Sequence, residues 1–123
     1  MAQQKMGSII STTSTAGLVA GAVPTAPYGA TKAAIIDLTK HVAVAYAKDG
    51  IRINVIAPGS HETWPLGFPR EEIEMINKKM SEFIPIGRMS HPSEIKGLAV
   101  YLASDASSYV TGQTFVEDCG YTA

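Results

Sequence analysis

Gly7-Ser-Ile-Ile-Ser-Thr-Thr-Ser-Thr-Ala-Gly17 carries a short apolar segment into a run of hydroxyls closed by a glycine, and Tyr28-Gly-Ala-Thr-Lys32 then opens a long apolar stretch. The first segment predicts a buried strand over 8–11, because a brief apolar run ending in turn-forming residues suits a strand better than a helix. The second predicts a helix over 28–48, closed at Gly50, the residue that most readily takes a left-handed cap. Residues 33–46 are apolar almost all round, so this helix needs cover on more than one side, from a sheet and from another subunit. Arg52-Ile-Asn-Val-Ile-Ala-Pro-Gly59 gives a second strand, over 52–56, stopped by Pro58-Gly59.

Downstream, residues 60–68 read as a loop, and 70–83 alternates charge with Ile73, Met75, Ile76 and Met80 at roughly helical spacing, an exposed, mobile lid. Pro92 suits the first turn of a helix running to about 103, with Ser90 or His91 at its cap and Glu94 near its positive end. Thr114–Glu117 offers a short closing strand. Strands separated by long helices predict an α/β fold in which helices wrap a parallel sheet, with ligands in the crevice beyond the strand carboxyl ends. Both the 11–15 hydroxyls and the Pro58-Gly59 turn fall just past such ends, so two distant segments are expected to converge on one crevice.

The chain has 123 residues, 46% of them hydrophobic, and a formal charge of -1. That suffices for one modest core, a single domain over 1–123, and gives no electrostatic reason to expect nucleic acid or an anionic membrane as partner. No segment has the apolar length of a membrane span or the pattern of a signal peptide. Cys119 is the single cysteine, so an intramolecular disulfide and a cysteine-based zinc site are both excluded, and a cytoplasmic location is expected.

Tyr28 and Lys32 are i and i+4, neighbours on one helical face. A cation so placed favours phenolate over phenol and fits the tyrosine for proton transfer near neutral pH. The hydroxyl partner is less sharply defined, since Ser11, Thr12, Thr13, Ser14 and Thr15 all qualify. His41 and His91 are not spaced to serve a serine nucleophile, and no Gly-x-Ser-x-Gly elbow exists.

The ordered series Gly7-Ser-Ile-Ile, Tyr28-x-x-x-Lys32, Arg52 to Gly59, Glu62-Thr63, Pro85-Ile-Gly-Arg88, Leu102-Ala-Ser-Asp105 and Tyr109-Val-Thr-Gly-Gln113 resembles the short-chain dehydrogenase/reductase family over nearly the whole chain. The resemblance implies that residues 1–123 are a single partial domain, the catalytic and carboxyl-terminal part of a Rossmann-type, doubly wound parallel sheet lacking its amino-terminal strands. It implies NAD(P)-dependent hydride transfer between a nicotinamide and a small-molecule alcohol/carbonyl pair, and a homo-oligomer. By the family's hydroxyl-x-x-Gly spacing it selects Ser14, with Thr13 or Thr15 as alternatives, beside Tyr28 and Lys32 as the catalytic set. Cofactor contacts fall by the same resemblance on Tyr28, Lys32, Pro58, Gly59, His61 and Thr63, with the choice between NAD and NADP unreadable.

Several departures from the family pattern matter. The glycine-rich pyrophosphate turn is missing from the sequence, so the chain corresponds to the family's carboxyl-terminal half. His61 stands where the family carries an aliphatic residue and is expected to face solvent rather than bring a titratable group to the nicotinamide. Trp64 and Phe68 fall where the family's lid closes over substrate and are candidates for an apolar wall. Cys119 replaces a glycine, at a cost of order 1 kcal/mol if its φ is positive. The competing reading is a catalytically silent fragment that serves only in subunit association.

Overall fold

The computed structural model describes residues 1–21, 25–63 and 67–123. Three strands, β1 (Gly7–Thr12), β2 (Ile51–Pro58) and β3 (Thr114–Glu117), form a parallel sheet in the order β1-β2-β3. Gly7 pairs with Ile51 at one end of the first ladder, and Pro58 pairs with Glu117 at the end of the second. The crossovers are helical: α1 (Ala26–Tyr46) joins β1 to β2, and α2 (Arg70–Ser81) and α3 (Lys96–Ala103) lie between β2 and β3.

Alternation along β2 decides which helix covers which face, since successive side chains of a strand point to opposite sides. Ile51 and Ile53 are buried with Ala43 of α1 and Val42 beside it. Arg52, of opposite parity, donates to the carbonyls of Leu102 and Ser104 at the end of α3 and to Ser107 Oγ. Ser8, the register partner of Arg52, donates to the same Leu102 carbonyl at 2.8 Å. The two helices therefore lie on opposite faces, one held by apolar packing and the other by a guanidinium on the carbonyls that a helix end leaves without intrahelical partners.

Asn54 is fully buried in β2. Its amide nitrogen donates to the Val110 carbonyl at 2.9 Å, and its oxygen accepts from the Gln113 N–H at 3.1 Å. A buried amide is tolerated because both ends are satisfied, and here it fixes the segment that leads into β3.

The strands match the sequence expectations to within two residues, and β3 matches at both ends. The long helix begins at Ala26, with Pro27 in its first turn, and gives way at Tyr46 to a 3-10 turn, Ala47–Asp49, before Gly50 takes φ 71°. The helix expected from Pro92 instead begins at Lys96, and 92–95 are turns. Glu94 organises this segment. Its carboxylate accepts from the Arg88 guanidinium through two bonds of 2.8 Å, from the His91 N–H at 2.8 Å and from Ser90 Oγ at 3.1 Å. His91 takes the expected cap position: its Nδ1 accepts the Ser93 N–H at 3.2 Å while Glu94 accepts the His91 N–H, a reciprocal capping box, and the chain winds there through i to i+3 bonds, Glu94 N–H to His91 and Lys96 N–H to Ser93, before α3 begins. On α2, Ile73 is buried while Met75 and Ile76 stand exposed, so the expected exposed lid is anchored by one residue. Cys119 does take a positive φ, 52°, the strained case for a side chain.

Two outcomes are expected. Asn54→Ala strands the Val110 carbonyl and Gln113 N–H and should cost about 2 kcal/mol, read as a lowered urea midpoint at unchanged slope. The Arg88 hydrogen bonds, followed by the His91 N–H, hold the Glu94 carboxyl at about 2, below the usual range. A depressed carboxyl stabilises the fold above its unfolded value, roughly 4, and loses that contribution as pH falls toward the folded value. The melting temperature of Glu94→Gln should thus lie below that of the parent near neutral pH and converge with it near pH 2.

Candidate functional site

The hydroxyl cluster sits at the carboxyl end of β1, where a 3-10 turn, Thr15–Gly17, packs on the start of α1. Glycines permit the close approach. A Cβ at Gly17 would stand 2.8 Å from the Lys32 carbonyl carbon and 2.9 Å from the Ala33 nitrogen, and one at Gly29 would stand 2.8 Å from the Ala16 carbonyl oxygen. Thr13 Oγ1 adds a 2.7 Å hydrogen bond to the Lys32 carbonyl. Turn and helix are thereby locked in one relative position.

This geometry separates the hydroxyl candidates. Thr13 is buried and its proton is engaged with α1. Thr15 is buried as well. Ser14 is half-buried, and its Oγ accepts the Ala16 N–H at 3.2 Å. Because that bond uses a lone pair, the Ser14 hydroxyl proton is left to donate to an oxygen in the cleft.

Tyr28 and Lys32 stand on the first turns of α1. The Lys32 ammonium lies 5.4 Å from the Tyr28 ring centroid, within cation–π range, and the tyrosine side is open to solvent, at 48% exposure. The predicted pair is therefore formed. No hydrogen bond links Ser14 to Tyr28 among the described residues; the shared element is the glycine-packed junction that carries both.

The Pro58-Gly59 turn lies across the crevice. The Gly59 N–H donates to the Glu117 carbonyl at 2.9 Å, and a Cβ at Gly59 would stand 2.7 Å from the Asp118 Cβ, so the turn is pressed against the end of β3. Between the two segments runs a cleft of about 300 Å³, lined at its sides by Ser14, Thr15, Gly59 and Ser60 and walled by Met80, Phe83 and Tyr121. The expected convergence of the two strand ends is present. Thr63 is exposed beyond the turn.

His61 departs from expectation. Its side chain is only 11% exposed: Nε2 lies 3.0 Å from Glu117 Oε2, and Nδ1 lies 3.2 Å from the Gly59 carbonyl oxygen. A backbone bridge joins His61 to Ser90, and the imidazole lies inward, away from solvent. The apolar wall also differs. Trp64 lies outside the described residues, Phe68 is exposed and does not line the cleft, and Met80 and Phe83 at the end of α2 take that position. Met80 belonged to the helical stripe visible in the sequence; Tyr121, brought in by the carboxyl-terminal turn, had no local signal.

Gly29→Ala tests the junction. Alanine favours helix, yet its Cβ would meet the Ala16 carbonyl, so the close approach should win and the variant lose about 1–3 kcal/mol, with the Ser14 turn displaced. Chemical denaturation and the Ser14 and Ala16 amide resonances measure both effects.

Residues 1–122 match the family model described as enoyl-(acyl carrier protein) reductase. The 2-keto-3-deoxy-L-fuconate dehydrogenase of Xanthomonas campestris pv. campestris is 40% identical, over 99% of this chain and 42% of its own length. A 3-oxoacyl-(acyl-carrier protein) reductase from Brucella melitensis with bound NAD superposes with a TM-score of 0.84 at 35% identity, over 100% of this chain and 44% of its own. ElxO with NADP bound gives 0.87 at 31% identity, over 98% and 48%. The chain spans about half the length of the curated relatives it matches and aligns with their carboxyl-terminal half. Together with the parallel sheet and the Tyr28-Lys32 pair at its carboxyl edge, these likenesses mean that the chain belongs to the short-chain dehydrogenase/reductase family.

Proposed function

We propose that the chain is the catalytic, carboxyl-terminal portion of an NAD(P)-dependent oxidoreductase acting on a small alcohol/carbonyl pair. The observation that carries this reading is the junction that locks the Ser14 turn, which lines a cleft at the carboxyl ends of parallel strands, against the helix of Tyr28 and Lys32, which stand outside that lining. The cleft volume lies at the lower limit for small-molecule pockets. Ser14, Tyr28 and Lys32 are the proposed catalytic residues.

The residues present fit the nicotinamide-ribose end of the cofactor. Lys32 offers an ammonium close to Tyr28, and Pro58, Gly59, His61 and Thr63 form a turn on the opposite side of the crevice. The sequence contains no glycine-rich turn for the pyrophosphate. The nicotinamide, when bound, supplies or accepts hydride. The chain's own task is at the substrate oxygen, where negative charge develops during reduction. Ser14 donates its free proton as a hydrogen bond to that oxygen, Tyr28 delivers the proton that completes the alcohol, and Lys32 steadies the charge left on the phenol. In the reverse direction Tyr28 takes the proton back. NAD or NADP both suit this half of the site.

A second reading, a catalytically silent subunit-association module, draws on α1. Leu38 and Val44 on this helix are 63% and 80% exposed, apolar surface that a homologous subunit would cover. Association is compatible with either reading, and a homo-oligomer is part of the proposal. A cytoplasmic setting accords with the single exposed thiol.

The two readings part on turnover. In an assay of NAD(P)H oxidation with carbonyl substrates, Tyr28→Phe should lower kcat by roughly 10²–10⁴-fold while leaving association unchanged. A fluorescence titration of NADH and NADPH should give saturable binding that Lys32→Ala weakens. Absence of cofactor binding in the parent chain at millimolar concentration would favour the silent module.

A further inference from the structure

His61 and Glu117 are a close pair of titratable side chains, 11% and 24% exposed, whose ring and carboxylate take no part in the proton transfer proposed above. The Nδ1 contact to the Gly59 carbonyl assigns one proton, because a carbonyl can only accept and Nδ1 must donate. Nε2 then faces Glu117 Oε2 at 3.0 Å, and both atoms are buried with no aligned hydrogen bond to any described residue. With Nδ1 protonated, a neutral imidazole presents an Nε2 lone pair to a carboxylate oxygen, which repels. A second proton, on Nε2 or on Oε2, converts the same approach into an attraction.

The surroundings leave this proton few competitors. Ser90 Oγ stands 3.4 Å from Glu117 Oε1 and 3.1 Å from Glu94 Oε2. Arg88 is committed to Glu94 through both terminal nitrogens. The Asp118 carboxylate accepts from the Gly120 and Thr122 N–H groups and from Thr122 Oγ1. Glu62 and Cys119 are exposed. Among the described residues His61 is the one cation-forming side chain paired with Glu117.

We propose that His61 is a positioning residue: it shares one proton with Glu117, and this proton clasps the turn after β2 to the end of β3. The clasp acts where backbone contacts already meet, Gly59 N–H to Glu117, Glu62 N–H to Ser90 and Ser90 N–H to Ser60. Loss of the proton sets two lone pairs against each other and loosens the turn. The importance of this for cofactor binding rests on the reading that the turn borders the nicotinamide; the clasp itself does not.

Hydrogen exchange by NMR on the full chain tests it without cofactor or turnover, so its failure is distinguishable from failure of the proposed activity. Protection factors for Gly59 and Glu62 would be followed from about pH 5 to about pH 9, bracketing the ordinary imidazole range, with the β2 amide of Val55 as the internal reference. Protection at Gly59 and Glu62 should fall about tenfold or more relative to Val55 as pH rises, the mark of local opening. Glu117→Gln, whose amide can donate to a neutral Nε2, should keep the protection and abolish its pH dependence. Parallel pH profiles for all three amides, or a Glu117→Gln profile that follows the parent, would overturn the proposal. The ring nitrogen shifts of His61 and the Glu117 carboxyl shift in the parent chain decide independently of any variant's folding: an unprotonated Nε2 beside an ionised Glu117 at the acid end sinks the idea.

Discussion

The site depends on how closely α1 approaches the turn after β1. Two backbones meet there with no room for a side chain at Gly17 or Gly29, and the Thr13 hydroxyl ties the Lys32 carbonyl to the strand end. The constraint is steric first and polar second. A helix standing an ångström farther out would still bury its apolar residues on the sheet, yet it would carry Tyr28 and Lys32 out of register with Ser14. Positioning of this kind costs no side-chain entropy, since what is fixed is backbone against backbone.

The central strand serves the two faces differently. Toward α1 it offers Ile51 and Ile53, whose burial is non-directional and tolerates small sliding. Toward α3 it offers Arg52 and Asn54, whose hydrogen bonds specify particular carbonyls and amides of the segment that leads to β3. The apolar face supplies cohesion, and the polar face sets where β3 and its terminal turn arrive. Tyr121 reaches the crevice from that turn.

What was legible in the sequence was local. Short apolar runs located the strands, sharpest for β2 with its Pro58-Gly59 stop, and the spacing of Tyr28 and Lys32 gave a pair that the helix then forms. The cap at His91 and the place of Glu94 beside it are legible locally, whereas the Arg88–Glu94 pair, six residues apart, has no helical spacing to announce it. The inward imidazole of His61 was illegible for a similar reason, since its partner lies on β3, far along the chain. Tyr121 reaches the cleft only through the terminal turn, where Asp118 binds two backbone amides. Such contacts follow from where the fold returns, and no local spacing encodes them.

Parallel pairing throughout the sheet has a kinetic consequence. Each ladder joins segments separated by at least one whole helix, so no strand can be won by a local hairpin and each closure bears a long loop's entropy before any contact repays it. β2 contributes to both ladders, and a chain in which it is unformed has no sheet at all. Folding should therefore be slow for a polypeptide of this size, with a transition state organised around Ile51–Pro58 and α1. Until β3 arrives, the central strand's edge and its polar side chains are exposed together, and that interval is when neighbouring chains compete for it.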